Sequence, residues 1–210
     1  GAEKFSEPCL VNDEVIQIID DLSVLAPAHN KAHAIGLRSA KEVFGADVPN
    51  VVVFDTAFHA TMPPKAYMYA VPYEFYEKYA VRRYGFHGTS HKFVSRAAAE
   101  YLGKKPEELK MITLHLGNGA SLAAVDGGKV VDTSMGLTPL GGFMMGSRSG
   151  DLDPSVVGYI SELTGIKGND LTDYLTKKAG FLGVSGISSD CRDIEVAAEQ
   201  GDERAKLVLD

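Results

Sequence analysis

Cysteine is scarce in this sequence, and long hydrophobic runs are absent. Cys9 and Cys191 are the only two thiols in 210 residues. They lie far apart and outside any metal-binding spacing, so we expect two reduced thiols in a cytosolic protein. No apolar stretch approaches the length of a membrane span, and residues 1–4 are too polar for a signal peptide. The sequence therefore predicts a cytoplasmic protein with no membrane partner.

Positive charge is also in short supply. The formal net charge is -7 at pH 7 and the pI is near 5.4, so the basic surface typical of nucleic-acid-binding proteins is lacking. We expect no nucleic-acid partner. An anionic substrate would have to be attracted by local cations, because the overall field repels it. The hydrophobic content of 45% supports a sizeable core, and the length fits one large domain or two small ones.

Both ends of the sequence predict a fragment of a longer protein. The chain opens on a polar segment and stops inside a helix-like run over residues 193–210, with no terminal cap signal. The proline-containing turn at residues 61–64 is the expected crossing between two domains.

Apolar spacing and turn residues predict a mixed α/β chain. The first helix is expected to start at Asn12 or Asp13, and Pro27 is expected to break the pattern before a second helix. Thr89 or Ser90 is expected to cap a helix that stops at Gly103. The predicted helices cover residues 32–43, 73–79, 90–102, 154–163 and 171–178, and the predicted strands cover residues 51–54, 111–116, 121–125 and, after a hairpin turn at Asp126-Gly127, 130–131.

Three loops rich in small residues carry the polar side chains expected at the functional site. They cover residues 85–91, 115–121 and 146–151. Glycine lets a backbone approach a ligand closely, and imidazole exchanges protons near neutral pH. Together the loops indicate a site for an anionic, phosphorylated ligand.

Two interpretations stay open for Asn118, which lies between two glycines. The backbone N–H groups of such a turn can point at an anion, but Asn-Gly is also the favoured two-residue hairpin turn. Gly141 and Gly146 have the spacing of the outer glycines of a P-loop. Ser147 stands where that motif requires lysine, so we reject a P-loop.

Arg148 and Asp55 are the charged candidates. The small neighbours of Arg148 leave its guanidinium accessible, which suits bidentate binding of phosphate or carboxylate; the alternative is an ordinary surface arginine. Asp55 follows the predicted strand, where α/β proteins place ligands. It could hold Mg²⁺, accept a proton, orient a nucleophile or simply cap a turn. Asp151 and Asp153 are expected to cap the helix that begins at the next proline.

The six histidines do not predict a metal site. His29 and His33 are four residues apart, as are His87 and His91. A nearby proline places His29 in a loop and a following glycine places His87 in one, while His33 and His91 are expected at helix starts. No HExxH motif or cysteine pair accompanies them. A metal-dependent hydrolase is therefore the least favoured function.

Seven segments, in order, resemble the acetate kinase family. The longest, over residues 82–91, reads Arg-Arg-Tyr-Gly-Phe-His-Gly-Thr-Ser-His and is highly specific. The resemblance covers essentially the whole chain, which is roughly half of the family's usual length. The other segments are residues 54–59, 69–74, 115–121, 132–136, 148–154 and 189–193.

This resemblance implies the α/β fold of the acetate and sugar kinase, Hsp70 and actin superfamily, which is ribonuclease H-like. In that fold two domains close over a cleft that holds the nucleotide. Residues 1–57 would supply the C-terminal part of the first domain and residues 58–210 most of the second, with the fold incomplete at both ends. A homodimer is implied as well.

The resemblance also implies roles for individual residues. Asp55 matches the family's essential aspartate, which orients or deprotonates the acyl substrate and helps to place Mg²⁺. His87 and Arg148 match the pair that stabilises the moving phosphoryl group, and His29 matches a further active-site histidine. Walls of the acetate-methyl pocket are implied for Phe86 and Pro139, and nucleotide contacts for His115, Leu116, Gly117, Asn118, Gly119, Asp190, Cys191 and Arg192.

The implied activity is reversible transfer of the γ-phosphoryl group of ATP to acetate, giving acetyl phosphate and ADP, with Mg²⁺ bridging phosphate oxygens. Acetate is already ionised near pH 7, so we favour an orienting role for Asp55 over a basic one. Propionate kinase is one alternative. A non-catalytic nucleotide-binding fragment is the other, because segments usual at both ends of the family are absent from these 210 residues.

Overall fold

The structure is a computed structural model that describes residues 3–24, 27–45 and 47–210, apart from the side chains of residues 24 and 27–29. The chain forms two compact units. One comprises Gly1–Thr113 with Ala123–Thr133, and the other comprises Leu114–Leu122 with Ser134–Asp210. The domain boundary expected at residue 57 concerns the whole protein and stays a prediction.

The first unit begins with a small antiparallel sheet and two helices. Strand β1 (Cys9–Leu10) pairs with β2 (Val51–Val52), and helix α1 (Asp13–Asp21) is followed by a 3₁₀ turn (Leu22–Val24) and α2 (Pro27–Phe44). The side chain of Asn12 accepts a hydrogen bond from the backbone N–H of Val15 at 2.8 Å, which confirms the predicted helix start. The core of this part contains Val15, Ile16, Ile19, Ala34 and Phe54.

The prediction of a buried strand over residues 51–54 is wrong in two respects. Only Val51 and Val52 pair as a strand, and Val51 and Val53 are 59% and 60% exposed. Successive side chains of an extended chain point to opposite faces. Val52 and Phe54 therefore reach the core, while their neighbours face outward.

Pro27 begins α2 and does not interrupt it. Proline is tolerated in the first turn of a helix because its missing N–H would have no intrahelical partner there. The expected loop at His29 is therefore wrong, and His33 lies inside the helix and not at its start. The side chain of His29 falls outside the described part of the structure, so its active-site role stays a prediction.

Short helical segments connect this part to the longest helix after α2. A 3₁₀ turn (Ala57–Thr61) precedes α3 (Pro64–Tyr67), α4 (Glu74–Tyr79) and α5 (Gly88–Tyr101). Helix α5 starts before the predicted caps, with His87 as N-cap and no side-chain capping bond. The prediction of Thr89 or Ser90 as the cap is wrong, because a tertiary contact to Gly88 takes the place of a side-chain cap. The predicted stop at Gly103, which has a φ of +63°, is confirmed.

A three-stranded sheet follows a 3₁₀ turn at Pro106–Glu108. It is formed by β3 (Lys110–Leu116), β4 (Ala120–Asp126) and β5 (Lys129–Thr133), with β4 in the middle. Asp126 lies opposite Lys129 in the β4–β5 register. The turn residues Gly127 and Gly128 both have positive φ, 60° and 77°, as a tight hairpin requires. The predicted hairpin is confirmed, but its turn residues are Gly127 and Gly128 and not the predicted Asp126 and Gly127.

The second unit is mainly helical beyond its strand segments. Its helices are α6 (Pro154–Thr164), α7 (Gly168–Lys177), α8 (Gly180–Ser185), α9 (Cys191–Glu199) and α10 (Glu203–Leu209). The continuous helix expected over residues 193–210 is wrong. Gly201 has a φ of +96°, and the side chain of Asp202 accepts from Ala205 N at 2.8 Å, so a new helix begins there. The buried core between α9 and α10 is formed by Ile194, Ala205 and Val208.

Of the two aspartates expected to cap α6, only one does so. Asp153 accepts from Ser155 N at 2.8 Å, whereas the Asp151 carboxylate accepts from Gly142 N at 2.9 Å. Asp151 therefore ties two loops together. In the described part of the chain, no helix is long and apolar enough to cross a membrane.

Candidate functional site

The segment that follows β2 is joined to the start of α5 by two hydrogen bonds from consecutive residues. The backbone N–H of His87 donates to Asp55 Oδ2 at 2.8 Å, and that of Gly88 donates to the Asp55 carbonyl oxygen at 2.8 Å. The carboxylate thus lies at a helix N-terminus, where unpaired N–H groups and the helix dipole favour negative charge. The structure brings together two of the predicted catalytic residues, and Asp55 remains exposed to solvent.

Glycine is required at position 88 by the closeness of this contact. A Cβ atom on Gly88 would lie 2.3 Å from the Asp55 carbonyl oxygen. This distance is shorter than any van der Waals contact between a Cβ atom and an oxygen. His87 itself has a φ of +58°, a left-handed conformation that non-glycine residues rarely adopt. A strained residue held by surrounding contacts is typical of a functional site.

A second histidine lies directly beneath this loop. His59 is fully buried at 0% exposure, and a Cβ atom on Gly85 would lie 2.5 Å from its Cδ2. Its ring is edge-on to that of His91, with centroids 5.7 Å apart. His91 Nδ1 in turn lies 2.8 Å from Thr113 Oγ1. Burial, with smaller contributions from His91 and His87, lowers the pKa of His59 to about 3, so its ring is neutral near pH 7.

In the second unit, the loop between β3 and β4 packs against the glycine-rich segment before α6. Gly146 N donates to the Asn118 carbonyl oxygen at 3.1 Å. A Cβ atom on Gly146 would lie 2.2 Å from Asn118 Oδ1 and 2.7 Å from the Ser189 carbonyl oxygen. Three separate stretches of sequence therefore meet at Gly146. The three residues 117–119 connect β3 to the neighbouring β4. Neither Asn118 nor Gly119 has a positive φ, so the two-residue Asn-Gly turn is not formed, and a role of this loop in phosphate binding stays a prediction.

Arg148 lies against the same loop. Its Nη1 donates to the Pro139 carbonyl oxygen at 3.2 Å, and a Cβ atom on Gly119 would lie 2.7 Å from that nitrogen. The side chain is partly buried, and this desolvation lowers the pKa of Arg148, although arginine stays charged at neutral pH. The alternative of an ordinary surface arginine is wrong, because the guanidinium is packed on the loop glycine and bonded to a backbone carbonyl.

The segment before α9 is stabilised by a local ion pair. Asp190 caps the helix by accepting from Arg192 N at 3.0 Å, and Arg192 Nε donates to the same oxygen at 3.0 Å. The hydrogen bond from the Arg192 side chain is the main cause that lowers the pKa of Asp190 to about 2. Slight desolvation, followed by the nearby Glu195, raises the pKa of the exposed Cys191 thiol. The Arg192 side chain is largely exposed, so it is accessible to a ligand.

Comparison with known proteins decides the family. The sequence matches the family model of the Acetokinase family over residues 1–210. The chain belongs to the acetokinase family.

Individual acetokinases match along the whole chain. An acetate kinase from Thermotoga petrophila is 60% identical over 100% of this chain and 52% of its own length. Another from Geobacillus kaustophilus is 55% identical over 100% of this chain and 53% of its own. The crystal structure of Porphyromonas gingivalis acetate kinase matches with a TM-score of 0.93 and 47% identity, over 99% of this chain and 52% of that one. The chain thus spans about half the length of the relatives that it matches.

A propionate kinase gives a similar likeness. The crystal structure of the Francisella tularensis protein matches with a TM-score of 0.94 and 46% identity, over 99% of this chain and 53% of that one. The family resemblance and the α/β fold of the acetate and sugar kinases, which were predicted from the motifs, are therefore confirmed. The match to half of each relative also agrees with the expected fragment.

The predicted site residues of this acetokinase chain fall into two groups, one in each compact unit. Asp55, His87 and the intervening Phe86 belong to the first unit. In the second unit, Arg148 contacts Pro139 and Gly119, Asn118 contacts Gly146, and Gly146 approaches the segment that leads into α9. The second group also contains His115, Leu116, Gly117, Asp190, Cys191 and Arg192.

His59 was missed as a site residue by sequence reasoning. It appeared only as part of a family motif, and nothing in its spacing showed that the ring would be fully buried under the loop that carries His87. The one available signal is its position four residues after Asp55, close to one helical turn. Among the residues that the structure describes, no group of three or more His, Cys, Asp or Glu side chains could hold a metal ion.

Proposed function

We propose that the protein to which this chain belongs is an acetate kinase. It transfers the γ-phosphoryl group of ATP directly, in line, to a carboxylate oxygen of acetate, and the products are acetyl phosphate and ADP. The observation that carries this proposal is the pair of hydrogen bonds that fixes Asp55 and His87 at the N-terminus of α5. The names of the 55–60% identical relatives support the same reaction.

Asp55 orients the acetate in this proposal. Acetate is ionised near pH 7 and already nucleophilic, so removal of a proton contributes little. One carboxylate oxygen of Asp55 accepts from His87 N, and the other has no hydrogen-bond partner among the described residues. That second oxygen fits as a ligand of Mg²⁺, because hard cations prefer carboxylate oxygens. When bound with ATP, Mg²⁺ supplies charge neutralisation and alignment of the phosphate oxygens.

His87 and Arg148 donate hydrogen bonds to the oxygens of the transferring phosphoryl group. Phosphoryl transfer depends mainly on positioning and on stabilising the charge of that group. The backbone of His87 is fixed by its hydrogen bond to Asp55, and the guanidinium of Arg148 is held by Pro139 and Gly119. A guanidinium suits this role because it forms two parallel bonds to phosphate oxygens. His29 assists as a further active-site histidine.

The second unit binds the nucleotide. The backbone N–H groups of the loop at residues 115–119 hold the ATP phosphates, and its packing on Gly146 supports this geometry. The Asp190–Arg192 segment contacts the nucleoside from the start of α9. In the whole protein, residues 1–57 belong to the first domain and residues 58–210 to the second. The protein acts in the cytoplasm as a homodimer, as its family resemblance implies.

Phe86 and Pro139 form walls of the pocket for the acetate methyl group. Propionate kinase is the second candidate, favoured by the structural match to the Francisella tularensis protein. Because one methylene is worth only about 1–3 kcal/mol in a hydrophobic pocket, the two substrates have to be compared directly. If kcat/KM for propionate exceeds that for acetate in the full-length protein, propionate kinase replaces the main proposal.

The test of the proposal is acetyl phosphate formation by the full-length protein supplied with ATP, Mg²⁺ and acetate. We expect turnover that depends on all three. ATP binding by calorimetry without any acyl phosphate product would favour a non-catalytic nucleotide-binding protein. The 210-residue chain spans 52% of the length of a matched acetate kinase. Calorimetry with ATP and the acetyl phosphate assay on this chain alone show whether this half binds the nucleotide, catalyses the reaction, or does both.

A further inference from the structure

His59 has an unusual lack of hydrogen bonds for a buried polar side chain. Its exposure is 0%, and neither ring nitrogen has a hydrogen-bond partner among the residues that the structure describes. The hydroxyl of Thr56, three residues earlier, is also buried without a partner there. Buried polar atoms in native proteins nearly always have a partner, protein or ordered water. Two neighbouring residues in this condition therefore indicate a bound group.

A pocket of about 240 Å³ lies next to both side chains. It is lined by Glu3, Ser6, Thr56, His59, Ala60, Arg82 and Tyr84, all of which belong to the first unit. The pocket is large enough for several water molecules and lined by polar groups, which are the two conditions for bound water.

The charges around the pocket favour water over an ion. Arg82 Nη1 is paired with Glu3 Oε1 at 2.9 Å, and the guanidinium stacks 3.6 Å from the centroid of the Tyr67 ring. This pair leaves no net charge in the lining. A neutral imidazole needs one donor and one acceptor, as the Thr56 hydroxyl also does. Water supplies both, whereas an anion can only accept and a metal ion can satisfy only the acceptor nitrogen.

The buried ring also supports the loop that carries His87. A Cβ atom on Gly85, which has a φ of +73°, would lie 2.5 Å from Cδ2 of the His59 ring, so the ring packs against this glycine. The same ring is edge-on to His91, whose backbone N–H donates to the His87 carbonyl at 3.0 Å. A change in the position of His59 would therefore move the residues on both sides of His87.

We propose that the pocket of about 240 Å³ next to His59 and Thr56 is a site for ordered water that hydrogen-bonds both side chains, and that His59 is a positioning residue for His87. His59 has no contact with the reacting groups in this view. Its ring fixes the position of the loop at residues 85–88 and thereby of His87. The ordered water fixes the orientation of the His59 ring. The functional part of this inference rests on the proposed function, and the water site does not.

Variants of the full-length protein test the positioning role. His59→Phe fills the same space but cannot bind the water, and we expect kcat to fall by about 10-fold or more while KM for ATP changes little, since small displacements of a catalytic group cost rate. His59→Asn keeps a donor and an acceptor, and should recover part of the lost kcat. His33→Gln, on the exposed part of α2, is the matched control and should retain wild-type kcat.

A high-resolution crystal structure of the full-length wild-type protein tests the water site without any activity measurement. We expect ordered water within hydrogen-bond distance of a His59 ring nitrogen and of Thr56 Oγ1. A dry pocket, or one filled by another part of the polypeptide, overturns the water site. If the phenylalanine variant folds and keeps its kcat, the positioning role is overturned. If His59→Phe does not fold, the His59→Asn variant is decisive. Wild-type kcat in that variant, together with a displaced water in its crystal structure, would overturn the positioning role of His59.

These outcomes are distinguishable from failure of the proposed function. A wild-type protein that makes no acyl phosphate would contradict the acetate kinase proposal. The crystallographic water site would still be confirmed or excluded by the same structure.

Discussion

The backbone N–H of His87 donates to the carboxylate of Asp55 at 2.8 Å, across 32 residues of sequence. His87 is held in a left-handed conformation with a φ of +58°, and the adjacent N–H of Gly88 donates to the carbonyl of the same aspartate. The two hydrogen bonds hold Asp55, with its carboxylate, next to His87, although the two residues belong to separate motifs.

Substitution of Gly88 by alanine should damage the site through its backbone. The added Cβ would lie 2.3 Å from the Asp55 carbonyl oxygen, and the backbone cannot yield as a flexible side chain would. We expect a loss of about 1–3 kcal/mol in stability, the usual cost of overpacking, together with a large fall in kcat. Gly158→Ala is the control, because its Cβ meets nothing within 4 Å and alanine favours a helix. Equal thermal stabilities of the two variants would contradict this account.

Removal of the Arg148 side chain should affect turnover more than folding. In the full-length protein, Arg148→Ala is expected to lower kcat by about 10²-fold or more, as loss of a preorganised charge-stabilising donor does elsewhere. Arg148→Lys keeps the charge but not the planar fork, and should restore only part of the rate. Arg38→Lys, an exposed arginine paired with Asp20, serves as the control. Unchanged kcat for the alanine variant would remove Arg148 from the chemistry.

Alanine at position 146 should weaken nucleotide binding. Its Cβ would occupy the space of Asn118 Oδ1 and of the Ser189 carbonyl, at 2.2 Å and 2.7 Å, and would push apart the loops assigned to the nucleotide. We expect a rise in KM for ATP, and a matching loss of ATP affinity by calorimetry, that exceeds any change in KM for acetate. An equal effect on both substrates would argue against a nucleotide site at these loops.

Acid should destabilise the protein through His59. Its pKa is about 3 when folded and 6.5 when exposed, so between these values the unfolded state binds the extra proton. The resulting loss in the free energy of unfolding is absent above pH 6.5, grows as the pH falls and reaches its full value below pH 3. It is worth at most about 5 kcal/mol at 1.36 kcal/mol per pH unit. Urea unfolding at pH 7, 5 and 4 should show a smaller loss of stability for His59→Phe than for wild type. Parallel curves would contradict a buried neutral ring.

Local sequence signals predicted the elements whose cause is local. Asn12 as a helix cap and the hairpin that follows Asp126 both follow from side-chain or turn chemistry within a few residues, although the turn lies one residue later than predicted. The start of α5 could not be predicted in this way. Its first N–H is satisfied by Asp55, far away in the sequence, so the cap residues Thr89 and Ser90 were not needed.

The site was predicted as a set of residues, not as a geometry. The family motifs contained Asp55, His87, Arg148 and the glycine loops, but not the contact of Arg148 with Gly119 and Pro139, because that contact joins loops by tertiary packing. Pro27 was interpreted as a helix breaker. Proline disrupts the interior of a helix but is favoured in the first turn, and the sequence did not show that α2 starts at Pro27.

The most direct test of the central claim is the rate of acetyl phosphate formation by full-length Asp55→Asn. Asparagine retains an oxygen that can accept from His87 N, so the fold should persist, while the negative charge is lost. We predict that kcat falls by about 10²-fold or more with an unchanged thermal unfolding midpoint, whereas Asp173→Asn, which removes only an exposed partner of Lys177, retains wild-type turnover. Wild-type kcat in the Asp55→Asn protein would contradict the assignment of this site to phosphoryl transfer.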